Sequence, residues 1–315
     1  MMPESQYRLL GASGIKVSPI GTGTNRWKQG ENDDAAFQAF RSLVDADVNF
    51  FDTAEVYSMG KSERLLGACL QRDTRQVVVA SKFFPYPTRL LRRQFMNALD
   101  ATLNRLGRQA IDLYYIHFPY TLLRVETLMD MMAQAVKAGK VRAVGVSNFS
   151  AKQMRRAAAR LERYDIPLAA NQVRYNLLHR QPEANGVLDA CRELDVALVA
   201  YRPLERGRII SGAGPRATSI SATSKSEKGE EASTNQEAIQ ETLQRIASQR
   251  GKSVSQVALN WLLRRDNHVI PIPGTTDARH ALENADVLSW QLSDEEFAAI
   301  DRVSSPTQGN SIRSS

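Results

Sequence analysis

Cysteine is nearly absent: Cys69 and Cys191 are the only two in 315 residues, far apart, so no C-x-x-C metal or redox spacing exists and a reducing compartment suits the chain. Each sits in an apolar helical context and reads as core filler. No apolar run approaches a membrane span, and the opening "MMPESQYRLLGASG" lacks an n-region and an apolar h-region. A soluble, cytoplasmic protein without a membrane partner is therefore expected. A dense basic tract is missing too: the net charge of +7 is spread over helical faces such as "MRRAAARLERY" and "LNWLLRRD". That argues against a nucleic-acid partner and fits solvated helix surface with a pocket for an anionic ligand.

No Ser or Cys stands in a triad-like setting, no nucleophile has an attached base, and no cluster has metal-ligand spacing, so no metal is expected. The "GTGT" at 21 to 24 lacks the third glycine of a dinucleotide fingerprint, with Arg26 in its place, so Gly21 and Gly23 serve a tight first loop.

What the chain does have, at 43% hydrophobic and 24% charged, is the composition of an ordinary globular protein. Eight short apolar runs alternate with helical segments: "SPIGTGT" (18 to 24), "NFFDT" (49 to 53), "VVVASK" (77 to 82), "LYYIH" (113 to 117), "AVGVS" (143 to 147), "LAANQ" (168 to 172), "ALVAY" (197 to 201) and "VIPIPG" (269 to 274). Continuous rather than alternating apolarity marks parallel strands buried on both faces. Between them, segments such as "SERLLGACLQ" and "FMNALDATLNRLG" have helical spacing, and Ser150 with Gln153, Ser253 with Gln256 and Ser293 with Glu296 form capping boxes.

Eight βα units predict an α/β fold of the closed (β/α)₈ TIM-barrel class, one domain over residues 1 to 315. "YRLLGASGIKVS" predicts an N-terminal β-hairpin plugging the barrel. The polar stretch 211 to 236, after the seventh strand, predicts a flexible loop, and 304 to 315 a flexible tail.

In such barrels chemistry gathers at the C-terminal strand ends. Asp52, Lys82, His117, Ser147 with Asn148, Gln172 and Tyr201 all stand there, and Tyr57 lies just beyond Asp52. A lone His ending a strand is commonly a satisfied structural residue; six strand ends aiming polar groups into one mouth are not explained by packing. A phenol has a reference pKa of about 10, and a neighbouring ammonium pulls it toward the operating range. Lys82 supplies that ammonium, Asp52 its partner, and His117 a donor to a substrate oxygen. This set suits protonation of a carbonyl oxygen becoming an alkoxide. Asn148 and Gln172 offer amides for a carboxamide, Tyr201 an aromatic face, and the loop after "VIPIPGTT" a phosphate site.

In combination, "FDTAEVY" followed by "SERLLG", "ASK", "DLYYIHFP", "GVSNF", "NQVRYN", "AYRPL" and "IPIPGTT" with "LEN" resemble the aldo-keto reductase family over nearly the whole chain. The resemblance implies a catalytic tetrad of Asp52, Tyr57, Lys82 and His117 with Tyr57 as general acid, and NADPH (NADP⁺) bound without a Rossmann domain. It implies Ser147, Asn148 and Gln172 on the carboxamide and Tyr201 on the nicotinamide, with Gly23 and Thr24 in the first loop. Pro203, Leu204 and Gly207 would follow the pyrophosphate, and Pro273, Gly274, Thr275, Thr276, Arg279, Glu283 and Asn284 the adenosine half.

Asn25 stands where the family usually carries Trp, with Trp27 two residues on, and Arg202 replaces the usual Ser, either clasping the pyrophosphate or pointing to solvent. His280 occupies the place where many relatives have an Arg, beside Arg279. Trp27, Tyr86 and Phe118 suggest an apolar wall for an aldehyde or ketone; plain packing is the alternative. The expected activity is reduction of a small-molecule carbonyl substrate, the alternative an NADPH-binding regulatory or redox-sensing subunit with slow turnover. Oligomeric state is open, with a monomer favoured.

Overall fold

The computed structural model describes residues 6–211 and 227–305. Strands β1 (Arg8–Leu9) and β2 (Lys16–Val17) pair antiparallel as the expected hairpin. Leu10, Ile15 and Val17 pack with Phe50, Val78, Ala169 and Ile270 of the barrel interior, so apolar hairpin residues close one end.

The chain continues through β3 (Thr22–Gly23), α1 (Asp33–Asp45), β4 (Phe50–Asp52), α2 (Lys61–Arg72), β5 (Val78–Phe83), α3 (Arg92–Leu106), β6 (Ile111–Ile116), α4 (Val125–Lys137), β7 (Val141–Ser147), α5 (Ala151–Glu162) and β8 (Leu168–Arg174). There follow α6 (Gln181–Ala184), α7 (Val187–Glu193), β9 (Ala197–Tyr201), α8 (Arg208–Ser211), α9 (Glu227–Arg250), α10 (Val254–Arg265), β10 (Val269–Pro271), α11 (Ala278–Ala285) and α12 (Asp294–Ser304). The strands β3 to β10 form one eight-stranded sheet in sequence order, every neighbouring pair parallel. All three expected capping boxes are made, at Ser150, Ser253 and Ser293.

The sheet curls into a nearly closed (β/α)₈ barrel, and proline explains the incomplete seam. Gly21 N donates to Pro271 O at 3.0 Å and Gly23 N to Pro273 O at 3.3 Å, while Ile272 N turns the other way to Ala200 O at 3.1 Å. Pro271 and Pro273, which face β3, have no N–H to give back. Half of that ladder is therefore missing.

The larger core lies between the sheet and the helices, with Trp27, Phe51, Phe83, Tyr114 and Trp261 among its buried members. Cys69 and Cys191 are buried as expected, and burial pushes each thiol up to about 12.

Two expectations need correction. The stretch 211 to 236 is not loop throughout: Ser211 ends α8, and α9 begins at Glu227. Apolar Ile239, Leu243 and Ile246 farther along α9 are buried, and they give this polar segment a helix to belong to. Residues 212–226 lie outside the described residues. Ser304, placed in the tail, is instead buried at the end of α12, receiving a bond from Arg180 Nη1 at 3.0 Å and donating to Ile300 O at 2.8 Å. Residues 306–315 lie outside the described residues. Among those described, no helix is long and apolar enough to cross a membrane.

Candidate active site

The loops beyond β3, β4, β6, β7, β8, β9 and β10 surround a cleft of about 650 Å³. Its floor is set by hydrogen bonding. Thr24 N takes the Asp52 carbonyl at 2.8 Å, and the hydroxyls of Thr24 and Thr53 each meet the buried Ser62 Oγ, at 2.8 and 2.9 Å. These bonds lock the first two loops together. Tyr57 then follows on a tight turn, Tyr57 N to Ala54 O at 3.0 Å.

Asp52, Tyr57, Lys82 and His117 are brought together. Lys82 Nζ, fully buried, donates to Asp52 Oδ2 at 2.5 Å and to Thr53 O at 2.7 Å, and reaches the Tyr57 hydroxyl at 3.4 Å. Burial disfavours the ammonium, but Asp52 and Tyr57 outweigh that and hold its pKa above the ordinary lysine value. Lys82 stays charged.

The phenol departs from expectation. Burial raises the Tyr57 pKa above its usual value, and the opposing pull of Lys82 and Arg202 does not cancel it. In this state the proton is held rather than loosened. His117 behaves in the opposite sense: burial, aided by the Lys82 charge, depresses it to about 3, so the imidazole is neutral. Its ring stacks on Phe118 with centroids 4.7 Å apart and meets Tyr57 edge-on at 6.1 Å.

Across the mouth, Ser147 Oγ donates to Gln172 O at 2.9 Å, Asn148 Nδ2 to His117 O at 3.2 Å, and Tyr201 OH to Asn148 Oδ1 at 3.0 Å. Asn148 adopts φ 62°, a left-handed conformation that Asn tolerates. Gln172, expected to offer its amide to a carboxamide, donates from Nε2 to Asp52 Oδ1 at 2.7 Å, so it braces the ion pair.

Beyond β9, Arg202, Glu205 and Arg206 have φ of 51°, 45° and 55°. Burial opposes the Glu205 carboxylate, but bonds from Arg174 and Asn176 hold it below the ordinary range. That buried anchor fixes the loop. Arg202 is exposed and lines the cleft with Pro203, Leu204 and Gly207.

Gly23, Phe118, Pro273, Gly274, Thr275, Glu283 and Asn284 also line the cleft, but several expected residues do not. Thr24 is buried beneath the loop. Trp27 turns into the core, its Nε1 donating to Thr275 O at 2.7 Å, because the turn from Thr24 points it inward. Tyr86 is half exposed against Phe84 and Arg89, and Thr276 and Arg279 stand outside. His280 lines the cleft instead of Arg279. Ile272 lines it from within "IPIPGTT", whereas Arg206, Ile210 and Ser255 are lining residues that no motif announced. Ile210 and Ser255 belong to helices packed over the mouth, a relation of contact rather than of sequence.

The Aldo/keto reductase family model matches residues 19–305. The chain is 33% identical over 309 residues to the chloroplastic pyridoxal reductase of Arabidopsis thaliana, covering 90% of this chain and 82% of that one. Its fold matches a thermostable aldo-keto reductase, Tm1743, solved with the inhibitor epalrestat, at TM-score 0.77 and 30% identity, covering 94% and 99% of the two chains. It also matches an aldo/keto reductase from Klebsiella pneumoniae solved with NADP and acetate, at TM-score 0.78 and 26% identity, covering 96% of each.

Proposed function

The chain belongs to the aldo/keto reductase family, and from that membership and the cleft we propose an NADPH-dependent oxidoreductase that reduces an aldehyde or ketone, with Tyr57 as general acid. The observation that carries the reading is the Tyr57 phenol, open to the cleft, touching a buried Lys82–Asp52 pair beside a neutral His117.

The lining fits a flat, anionic dinucleotide such as the relative from Klebsiella pneumoniae holds. Tyr201 offers a ring braced by Asn148, and Arg26, Arg202, Arg206 and His280 line a cleft whose carboxylates, among the described residues, are Glu283 and the already bonded Asp52. Ser147 and Asn148 would hold the carboxamide, with Gln172 bracing them from Asp52. Arg202, Pro203, Leu204, Arg206 and Gly207 would follow the pyrophosphate, and Gly274, Thr275, His280, Glu283 and Asn284 the adenosine end. When bound, NADPH supplies the hydride to the carbonyl carbon.

The chain's own part is the proton. His117 holds the carbonyl oxygen within reach of Tyr57. As charge grows on that oxygen, Tyr57 gives up its proton, and the Lys82 ammonium stabilises the phenolate left behind. Solvent later returns the proton. Asp52 and Gln172 keep Lys82 charged and aimed throughout. A cytoplasmic location belongs to the same proposal.

Purified protein with NADPH and a panel of aldehydes and ketones should consume cofactor absorbance. Tyr57→Phe, which keeps the ring and removes the acid, should lower kcat by roughly 10² to 10⁴ with NADPH affinity little changed. Near-normal turnover in that variant would remove Tyr57 from the mechanism.

A further inference from the structure

Glu55 stands three residues after Asp52 and two before Tyr57, on the turn that delivers the phenol. Its nearly covered carboxylate is directed at the loop after β5: Oε1 accepts from Phe84 N at 2.6 Å and from Arg89 Nη1 at 2.6 Å. Arg89 closes a ring by donating from Nη1 to Phe84 O at 3.1 Å, and its guanidinium lies over Tyr86 at 4.9 Å and Phe83 at 5.4 Å. Both backbone polar groups of Phe84 are thereby held. The Phe84 ring meets His117 at 5.6 Å and Phe118 at 5.8 Å, each edge-on, while His117 N donates to Phe83 O at 2.9 Å.

Phe84 is two residues from Lys82, whose 3.4 Å reach to Tyr57 is long for a hydrogen bond and sensitive to small shifts. The chain after Tyr57 is in a strained region: Ser58 and Met59 take φ of 49° and 54°, and Met59 is 90% exposed. Backbone in that region persists only when its surroundings hold it. Neither Glu55 nor Arg89 lines the cleft, and a covered carboxylate is costly unless paired.

We infer that Glu55 and Arg89 are positioning residues that staple the Tyr57 turn to the loop following Lys82, setting the reach of Lys82 to Tyr57 and holding the wall of Phe84, His117 and Phe118. The inference rests on the reading of Tyr57 as the acid.

The test compares wild type, Glu55→Gln, Glu55→Ala and Arg89→Met, using benzaldehyde turnover, NADPH affinity and hydrogen exchange. In Glu55→Ala and Arg89→Met, kcat falls about tenfold or more, the loss expected of misplaced reacting groups, while the NADPH Kd moves less than about twofold. Glu55→Gln, which keeps an acceptor for Phe84 N, lies between. Exchange in segment 84–91 accelerates in the variants, a readout that needs no turnover. Should Glu55→Ala not fold, the other two decide the matter. Normal kcat in both Glu55→Gln and Arg89→Met overturns the staple, as does unchanged exchange in 84–91, or a kcat loss matched by equal loss of NADPH affinity. A wild type that reduces no carbonyl would sink the functional reading alone, and the exchange pattern would still judge the staple.

Discussion

His117 links site and stability through one proton. Its folded pKa of about 3 lies below the ordinary value of about 6.5, so the unfolded chain binds more protons between those limits. The stability held by neutral His117 is thus full above about pH 6.5 and is lost as pH falls toward 3, at up to about 1.4 kcal/mol per pH unit. Denaturant titrations of wild type and His117→Asn across this window should show a shallower slope in the variant, since carboxylates titrate in both and cancel. Equal slopes would mean that His117 charges readily inside the fold. That Asp52, Lys82 and His117 share one mouth, with Tyr57 just beyond Asp52, was legible from strand-end positions. The raised Tyr57 pKa was not, because desolvation depends on what covers the ring.

Among the helices, propensity and packing make opposite forecasts at one position. Gly67 lies in the middle of α2, where Ala is favoured by about 1 kcal/mol on intrinsic propensity. A Cβ there would stand 2.6 Å from Arg105 O and 3.0 Å from the Leu106 backbone, so α2 and α3 approach too closely to admit one. Gly67→Ala should lower the Tm rather than raise it; a higher Tm would show that α3 yields. The same gap between local signal and contact explains α9. Its 24 residues begin inside a Ser- and charge-rich stretch, and burial of Ile239, Leu243 and Ile246 supplies what its N-terminal composition withholds.

For the whole molecule, barrel closure is uneven. The ladder runs unbroken from β5 to β7 and continues to β8 with one register shift between Val144 and Gly145, whereas β3 and β10 are joined by bonds running one way because Pro271 and Pro273 cannot donate. Opening should therefore begin at this seam, next to the loop that carries Gly274 and Thr275 into the cleft. Native-state hydrogen exchange should find the Gly21 and Gly23 amides less protected than those of Tyr115 and Val144. Equal protection would mean that the barrel opens as one unit.

Strand count, helix spacing, three capping boxes and the polar residues at strand ends are properties of local order along the chain, and the sequence by itself determined them. A continuous apolar run too short for a helix is satisfied as a strand buried on both faces, and eight in alternation with helices leave few alternatives to a barrel. That Trp27 turns away from the cleft while Asn25 lines it, that Gln172 bonds Asp52, that Arg202 lines the cleft and that α9 starts at Glu227 were decided by tertiary structure alone. Each depends on a partner distant in the chain, Thr275 for Trp27 and Asp52 for Gln172, and a contact made across the barrel leaves no period or spacing in the sequence to read.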